Sequence, residues 1–576
     1  MTKTKRDDII QAILILGIAA VVVFLSSFAY TKFDLTEENR HTLTDATKET
    51  LKELEDVVFV KVYLEGDFPA KYKRLERSVR EKLDEFHDVS EGNVQYEFID
   101  PYESGDRKTI SDVEQLLYER GLSFTMLYNE GQGVQEAFKI WPGALLTYKG
   151  EETAVQFLKS QNPDPTNEMI NASVNNIEYE LTSAISRVKR KKQPRVAFIE
   201  GHGELPEPEV EDFTRAVEEF YAVKRTTIDG DINALTKKVD GIPDRILNYE
   251  AIIIAKPDSA FSDKDKLILD QYIMNGGNVM WLVDPINADM DSLRQKMNFL
   301  GTTNDTRLED QLFHYGARLN RDIVIDRSCA MIALDGGPKG NMRNVQLYDW
   351  FYSPLVIPHD TAHPIVNNLD PIKLTFASSL DTVNASPLIK KTPLLASSYY
   401  SRTMKAPVRI STNIVGINPN FRENNNPHQL MGVLMEGKFT SNFTNRLPDT
   451  LLNDPDIAFR DSSKYSKMVV ISDGDVIRNG VKRTREGLMI QPLGYDEYAK
   501  RVIYDNSEFL MNCLNHMLND ESLIAVRSRS IELRNLDQEQ IIAEETMWQT
   551  INMVVPILLV VIFGVVQFVI RKRRFT

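Results

Sequence analysis

The sequence predicts a mixed α/β protein of several domains, and three observations carry that expectation. Short β-branched and apolar runs alternate with amphipathic stretches of helical period, as βα units require. The chain has 576 residues, too many for one core; at ~100–200 residues per domain, roughly three domains are expected. Two long apolar runs, 9–30 and 553–570, break the globular pattern. A bilayer is crossed by about 20 apolar helical residues, so both runs qualify as spans.

Ile9 to Tyr30 carries no charge and only Gln11, Ser26, Ser27 and Tyr30 as polar interruptions. A cleaved signal peptide is the alternative to a retained anchor. The run is longer than a signal core, and Ser26-Ser27-Phe28-Ala29 is a poor small-x-small cleavage site, so the anchor is expected. Lys3, Lys5 and Arg6 precede this span, and Arg571, Lys572, Arg573 and Arg574 follow the second. The positive-inside rule therefore places the tails 1–8 and 571–576 in the cytoplasm and residues 31–552 in a periplasm or its equivalent. Trp548 suits an interfacial position before the second span. The net charge of −15, with no evident basic surface, excludes a nucleic-acid binder. Cys329 and Cys513 read as two independent thiols; they could pair, although nothing in the sequence shows that they meet.

Residues 31–190 form the first folded module. Thr44 or Asp45 caps a helix that turns Leu51 and Leu54 inward. Val57 to Leu64 is a strand, Tyr72 to Phe86 a helix, Val94 to Ile99 a strand and Ile110 to Tyr118 a short helix. Strands at Leu122–Tyr128, Ala137–Ile140, Ala144–Tyr148 and Thr153–Leu158 follow. A long helix, Asn167–Lys189, has Ile170, Val174, Ile177, Leu181, Ile185 and Val188 on one stripe. The order βαβα, antiparallel strands, helix is that of a thioredoxin-like domain. No Cys-x-x-Cys is present, so the redox chemistry of that fold is not expected. Lys189-Arg190-Lys191-Lys192 complements a helix C-terminus and Pro194 ends the linker.

Residues 194–300 then alternate strand and helix. The strands are Arg195–Glu200, Ala222–Ile228, Tyr249–Ala255 and Asn278–Val283; the helices are Val210–Tyr221 and Asp263–Met274, the latter capped by Ser262 and ended by Gly276-Gly277. This is the pattern of a doubly wound parallel sheet. Lys467 to Asp475 repeats the grammar of apolar strand and acidic glycine turn, and Ser507 to Leu518 is a helix. The chain is thus expected to return to the same sheet over 466–520. Residues 301–465 become an insertion and 521–552 a stem. Within the insertion, Leu308–Tyr315 reads as a helix, Ala330–Asn344 as a mobile loop, Arg422–Pro427 as an exposed loop and Leu430–Glu436 as a strand.

The most site-like stretch is Gly201-His202-Gly203-Glu204, at the carboxyl end of the first parallel strand, where open α/β sheets bind ligands. Its glycines permit close approach, and His202 and Glu204 offer binding or acid–base groups. A tight turn whose histidine bonds a neighbour is the competing reading. Asp473-Gly474-Asp475 follows a strand in the same way, and the two loops are expected to face one cleft. Two carboxylates are too few for a hard-cation site. His359 and His363 have zinc-helix spacing, but Pro358 and Pro364 argue against the helix. Gly336-Gly337-Pro338-Lys339-Gly340 lacks the Gly-Lys-Ser/Thr ending of a phosphate loop, and no Walker or Gly-x-Ser-x-Gly motif occurs. No enzyme activity, cofactor or metal is expected.

Together, the first span, Phe33-Asp34-Leu35-Thr36 with Leu43-Thr44 and Thr47, the Ile199–Glu204 loop, Asp473-Gly474-Asp475 and the terminal span resemble the GldG family of gliding-motility ABC-transporter auxiliary proteins of Bacteroidetes-type bacteria. The resemblance covers essentially the whole chain. It implies an inner-membrane, substrate-binding-type component with a large periplasmic region, working beside separate permease and ATPase subunits. It also implies a central domain similar to one in an intraflagellar-transport protein. It supplies neither a catalytic residue nor an identified small-molecule substrate. The expected function is an accessory subunit coupled to permease, ATPase and lipid bilayer. The alternative is a periplasmic binding protein for a small ligand or glycan that uses the loop at 200–204.

Overall fold

The computed structural model describes residues 42–519 apart from breaks at 67, 104–105, 132–133, 159–166, 191, 240, 243, 297, 340–341, 358–362, 368, 417–418, 420, 422–425 and 486, together with 538–575 and isolated positions at 14, 17, 18, 21, 524 and 526. The first apolar run, apart from four positions, lies outside the described residues, as do His359 and most of the Arg422–Pro427 loop. The chain divides into a large unit reaching Arg529 and a smaller one that includes Ser530–Thr576.

In the large unit, α1 (Asp45–Lys52) is capped by Thr44, whose hydroxyl accepts from Thr47 N at 3.2 Å. Strand β1 (Val58–Val62) leads to α2 (Ala70–Val89), which buries Tyr72, Leu75, Val79, Leu83 and Phe86 at helical spacing. β2 (Val94–Phe98) and α3 (Arg107–Glu119) follow. Next come β3 (Thr125–Gly131), β4 (Val134–Ile140), β5 (Gly143–Tyr148), β6 (Glu151–Gln156) and α4 (Asn167–Lys189). The sheet runs β2-β1-β5-β6, with β1 parallel to β2 and antiparallel to β5. β3 and β4 do not join it. They pair with each other from Thr125↔Ile140 to Gly131↔Val134, so the ladder that backbone groups require is closed within a separate ribbon. Glu178 of α4 fastens α1: its Oε1 accepts from Thr44 N at 2.7 Å and from Thr47 Oγ1 at 2.9 Å.

The second domain is built on one seven-stranded sheet. Its elements begin with β7 (Arg195–Glu200), α5 (Glu207–Glu218) and β8 (Ala222–Thr227). A short pair, β9 (Thr236–Lys237) and β10 (Ile246–Leu247), precedes β11 (Ala251–Ala255), α6 (Asp263–Met274) and β12 (Asn278–Leu282). Much later come β13 (Ile389–Ala396), β14 (Leu430–Gly437), β15 (Ser466–Ile471) and α7 (Asn506–Met517). The order is β13-β14-β15-β12-β11-β7-β8; the last five are parallel, and β14 and β13 are antiparallel additions. Burial explains the unbroken apolar runs. Ala251, Ile253 and Ala255 pack with α5 and α7 on one face, and Ile252 and Ile254 with α6 on the other. Each buried isoleucine contributes about 1.5–3 kcal/mol relative to exposure.

The stretch 301–465 behaves differently from a self-contained insertion, because β13 and β14 from within it extend the central sheet. Pairing on β15 satisfies an otherwise open edge. Ala330–Asn344, expected as a mobile loop, lies mostly in a hairpin, Cys329–Lys339 against Met342–Val356, whose register shifts between Asp335 and Pro338. That bulge accommodates the Gly-Gly-Pro run, and Trp350, Phe351 and Tyr352 bury the base. Cys329 and the buried Cys513 are both free thiols.

In the smaller unit, α8 (Gln538–Phe575) contains Pro556. Its segment Ile551–Ile570 is long and apolar enough to cross a membrane. All twenty of these side chains are exposed.

Asp270 on α6 joins this helix to two distant segments. Its carboxylate accepts from Ser441 Oγ at 2.7 Å, Asn442 N at 2.8 Å and Tyr315 Oη at 2.8 Å, in a fully buried setting. Asp270→Ala orphans three buried donors. At about 1–3 kcal/mol each, a loss of at least ~3 kcal/mol is expected in denaturant unfolding of the detergent-solubilised protein.

Candidate functional site

Parallel strands covered on both faces leave their polar groups at the ends, and here the carboxyl ends carry the charge. The β7 loop turns at Gly201 (φ +110°) and Gly203 (φ +75°). Gly203 is required twice over, since a Cβ there would fall 1.6 Å from Asp258 Oδ1. His202 O accepts from Asp258 N and Ser259 N, and Leu205 N donates to Ala255 O, so the loop is stitched to the end of β11.

His202 is buried rather than presented. Its ring stacks on Phe261, with centroids 3.6 Å apart and planes at 8°. Nε2 lies 3.3 Å from Asp265 Oδ2, and Nδ1 lies 3.4 Å from Glu204 Oε1. Glu204 Oε2 also accepts from His202 N at 2.7 Å. Asp265 is held in turn by Ser262 Oγ and Gly230 N. Burial lowers the His202 pKa, but Glu204 and Asp265 outweigh it and hold the pKa above the ordinary value of 6.5. The histidine braces three loops.

The other strand ends converge on Lys256. It follows β11 in the left-handed region, at φ +55°. Its Nζ lies 3.3 Å from Asp284 Oδ2, after β12, and 2.5 Å from Asp475 Oδ2, after β15. Asp473, fully buried, accepts from Thr375 N at 2.6 Å and Asp475 N at 2.8 Å. Burial pushes the Asp284 carboxyl up to about 6 against the pull of Lys256. Asp473 is driven well above the usual range by burial and by the charges of Asp284 and Asp475. Burial and mutual repulsion thus hold the Asp284 and Asp473 carboxyls above the ordinary range, against the pull of one ammonium. Arg478 extends the network, with Nε 2.6 Å from Glu209 Oε2 and Nη1 3.5 Å from Asp475 Oδ1.

Two cavities flank this network. The smaller, about 210 Å³, is lined by Gly203, Glu204, Lys256, Asp284 and Arg478 among others. The larger, about 340 Å³, is lined by Lys373, Asp475, Arg478, Tyr495 and Tyr504 among others. The two predicted loops therefore do approach one region, with Arg478 common to both cavities. Of the six predicted site residues, Gly203 and Glu204 line the first cavity and Asp475 the second; Gly201, His202 and Asp473 line neither.

Lys256, Asp284, Lys373 and Arg478 were not singled out from the sequence. A signal existed for two of them: Lys256-Pro257 and Asp284-Pro285 each put a charge and a proline after an apolar strand. Lys256 occupies the position between the carboxylates that a divalent ion would need, so the acids do not fit a metal. Lys373 also lines the larger cavity, with its Nζ 5.5 Å over the Tyr504 ring. Burial lowers its pKa.

Removing the central cation isolates two buried acids, Asp284 and Asp473, and the half-buried Asp475. Lys256→Met is expected to cost about 3–5 kcal/mol in unfolding free energy. His202 yields a pH signature. Its folded pKa is raised, so its stabilisation is complete below about pH 6.5 and fades as pH rises through the folded value. The melting-temperature gap between wild type and His202→Gln should therefore be wider near pH 6 than near pH 8.

Residues 193–513, more than half of the chain, match the family model described as "ABC-type uncharacterized transport system", the transport-auxiliary family. Residues 37–147 match a domain of unknown function. A protein of Borreliella burgdorferi titled "Uncharacterized protein" is 20% identical over 583 residues, covering 99% of each chain. Among solved structures, "mmIFT52 N-terminal domain" aligns with 56% of this chain and 97% of its own at 10% identity and a TM-score of 0.30. The chain belongs to the ABC-transport auxiliary family.

Proposed function

We propose that this auxiliary-family chain is a membrane-anchored, extracytoplasmic subunit of an ABC-type complex, coupled to separate permease and ATPase subunits. The observation that carries the reading is the exposed apolar segment Ile551–Ile570 on a chain whose 193–513 region is that of a transport auxiliary component. Arg571, Lys572, Arg573 and Arg574 after this segment favour a cytoplasmic C-terminus. The apolar run 9–30 would supply the second anchor, leaving the large domains in the periplasm of an inner-membrane protein. Transport-linked gliding is the proposed process, supported by the Phe33-Asp34-Leu35-Thr36 entry and the Gly201–Glu204 loop.

The strand order β2-β1-β5-β6 supports the thioredoxin-like reading of the first domain, and helices on both faces of the central sheet support the doubly wound one. His202, engaged by Glu204, Asp265 and Phe261, favours architecture over catalysis. A second reading, a binding protein for a small anionic ligand, is favoured by Lys373 in the 340 Å³ cavity rather than by the 200–204 loop.

Purification of the full chain from native membranes in mild detergent is expected to recover a permease and an ATPase in fixed proportion. A stable, partner-free chain under those conditions overturns the subunit reading.

A further inference from the structure

At the opposite end of the central sheet, three residues far apart in sequence meet. Glu436, near the end of β14, pairs in register with Lys467 at the start of β15, whereas Asp473 follows the end of β15. His516 lies in the last turn of α7, and its Nε2 is 2.9 Å from Glu436 Oε1. The His363 ring stands edge-on to His516, with centroids 5.1 Å apart at 73°. One donor atom from each of the three lies within 4.8 Å of the others. Glu436 and His516 are buried and His363 is half-buried.

We propose that His363, Glu436 and His516 form a transition-metal site, with zinc the ion its chemistry favours. Two imidazoles and one carboxylate are a three-ligand zinc set that keeps a fourth position for water or a partner's ligand. Nitrogen donors select against magnesium and calcium, which take oxygen. Zinc bonds of about 2.0–2.1 Å place tetrahedral donors roughly 3.3 Å apart, so a modest inward turn of His363 closes the set. The supports are already built. Asn512 Nδ2 of α7 donates to Ile365 O at 3.1 Å and holds the turn that carries His363. One contact has to give way: Ile365 N donates to His363 Nδ1 at 3.4 Å, and a ring nitrogen that accepts this bond leaves the proton on the other. Lys467 Nζ donates to His516 O at 2.7 Å and fixes the last turn of α7.

Lys467 is also the counter-argument, because its ammonium is 3.8 Å from Glu436 Oε1. It repels an incoming cation and sets the affinity below that of a site without it. It remains outside hydrogen-bond reach of that oxygen, so the carboxylate is not consumed by it. A bound ion would tie three separate segments: the turn at 363–366, β14 and the end of α7, from which the chain continues toward α8.

The test uses the full-length protein in detergent, purified through a histidine-free tag, stripped with chelator and titrated with cobalt(II) and then zinc. One equivalent of cobalt with the visible bands of a tetrahedral site is expected, displaced by zinc, together with a zinc-dependent rise in melting temperature. His363→Ala and Glu436→Gln should each weaken binding by more than the ~10–100-fold that loss of an outer-sphere partner costs. Since His363 is half-buried, His363→Ala should melt like the stripped wild type, which separates lost binding from lost folding. Absence of a stoichiometric cobalt site in the wild type overturns the proposal. So does undiminished binding in both variants. Should His516→Gln fail to fold, the other two variants decide.

Discussion

The organising constraint is that β11, β12 and β15 are covered on both faces. Ile252, Ile253, Ile254, Trp281 and Val470 are fully buried, so none of these strands offers solvent a side. Charged groups that the sheet carries have to sit where the strands stop. This explains why Lys256, Asp284 and Asp473 each come within two residues of a strand's carboxyl end. It also explains why Glu436, Lys467 and His516 gather near the other end. The sheet sorts the polar chemistry of the domain into two clusters and keeps its middle apolar.

At the carboxyl end the cluster is unbalanced. Asp284, Asp473 and Asp475 surround one lysine, and burial raises the first two carboxyls. Such a network is worth less as a source of stability than as a means of holding loops in one arrangement, because desolvation offsets much of its Coulomb gain. Its geometric effect is plain. Gly474 packs so closely on Lys256 that a Cβ would meet the lysine Cβ at 2.5 Å. The turns after β11 and β15 are thereby locked together, and Arg478 carries the linkage to Glu209 on α5. The cavity walls are fixed by this chain of ion pairs.

The central sheet also organises what lies outside it. The stretch 301–465 returns to the sheet twice, as β13 and β14, and docks on α6 through Asp270. α7 covers one face, with Phe509, Leu510, Cys513 and Leu514 buried, and closes the domain before the chain continues to α8.

Local pattern was enough for much of this. Helical spacing of apolar residues placed α2, and unbroken apolar runs placed β7, β11 and β15, close to where they lie, because composition already marks what they bury. Ser262 was legible as a cap, and Thr44 as one of two candidates beside Asp45, from side chains that can accept a first-turn N–H. An apolar run of twenty residues, long enough to cross a membrane, is legible from length and composition alone. Pairing was not legible. Strands β3 and β4 look like the others but satisfy each other, and β13 and β14 sit in a polar region yet join the main sheet, because register depends on which edge remains open. The site shows the same limit. A glycine turn with a histidine and a glutamate reads as a site in sequence, but Asp265 and Phe261 consume the histidine. Lys256 among its acids, and His363 with Glu436 and His516, are each assembled from segments dozens to hundreds of residues apart. Those meetings belong to the tertiary structure alone, since nothing in local periodicity encodes distance across a sheet.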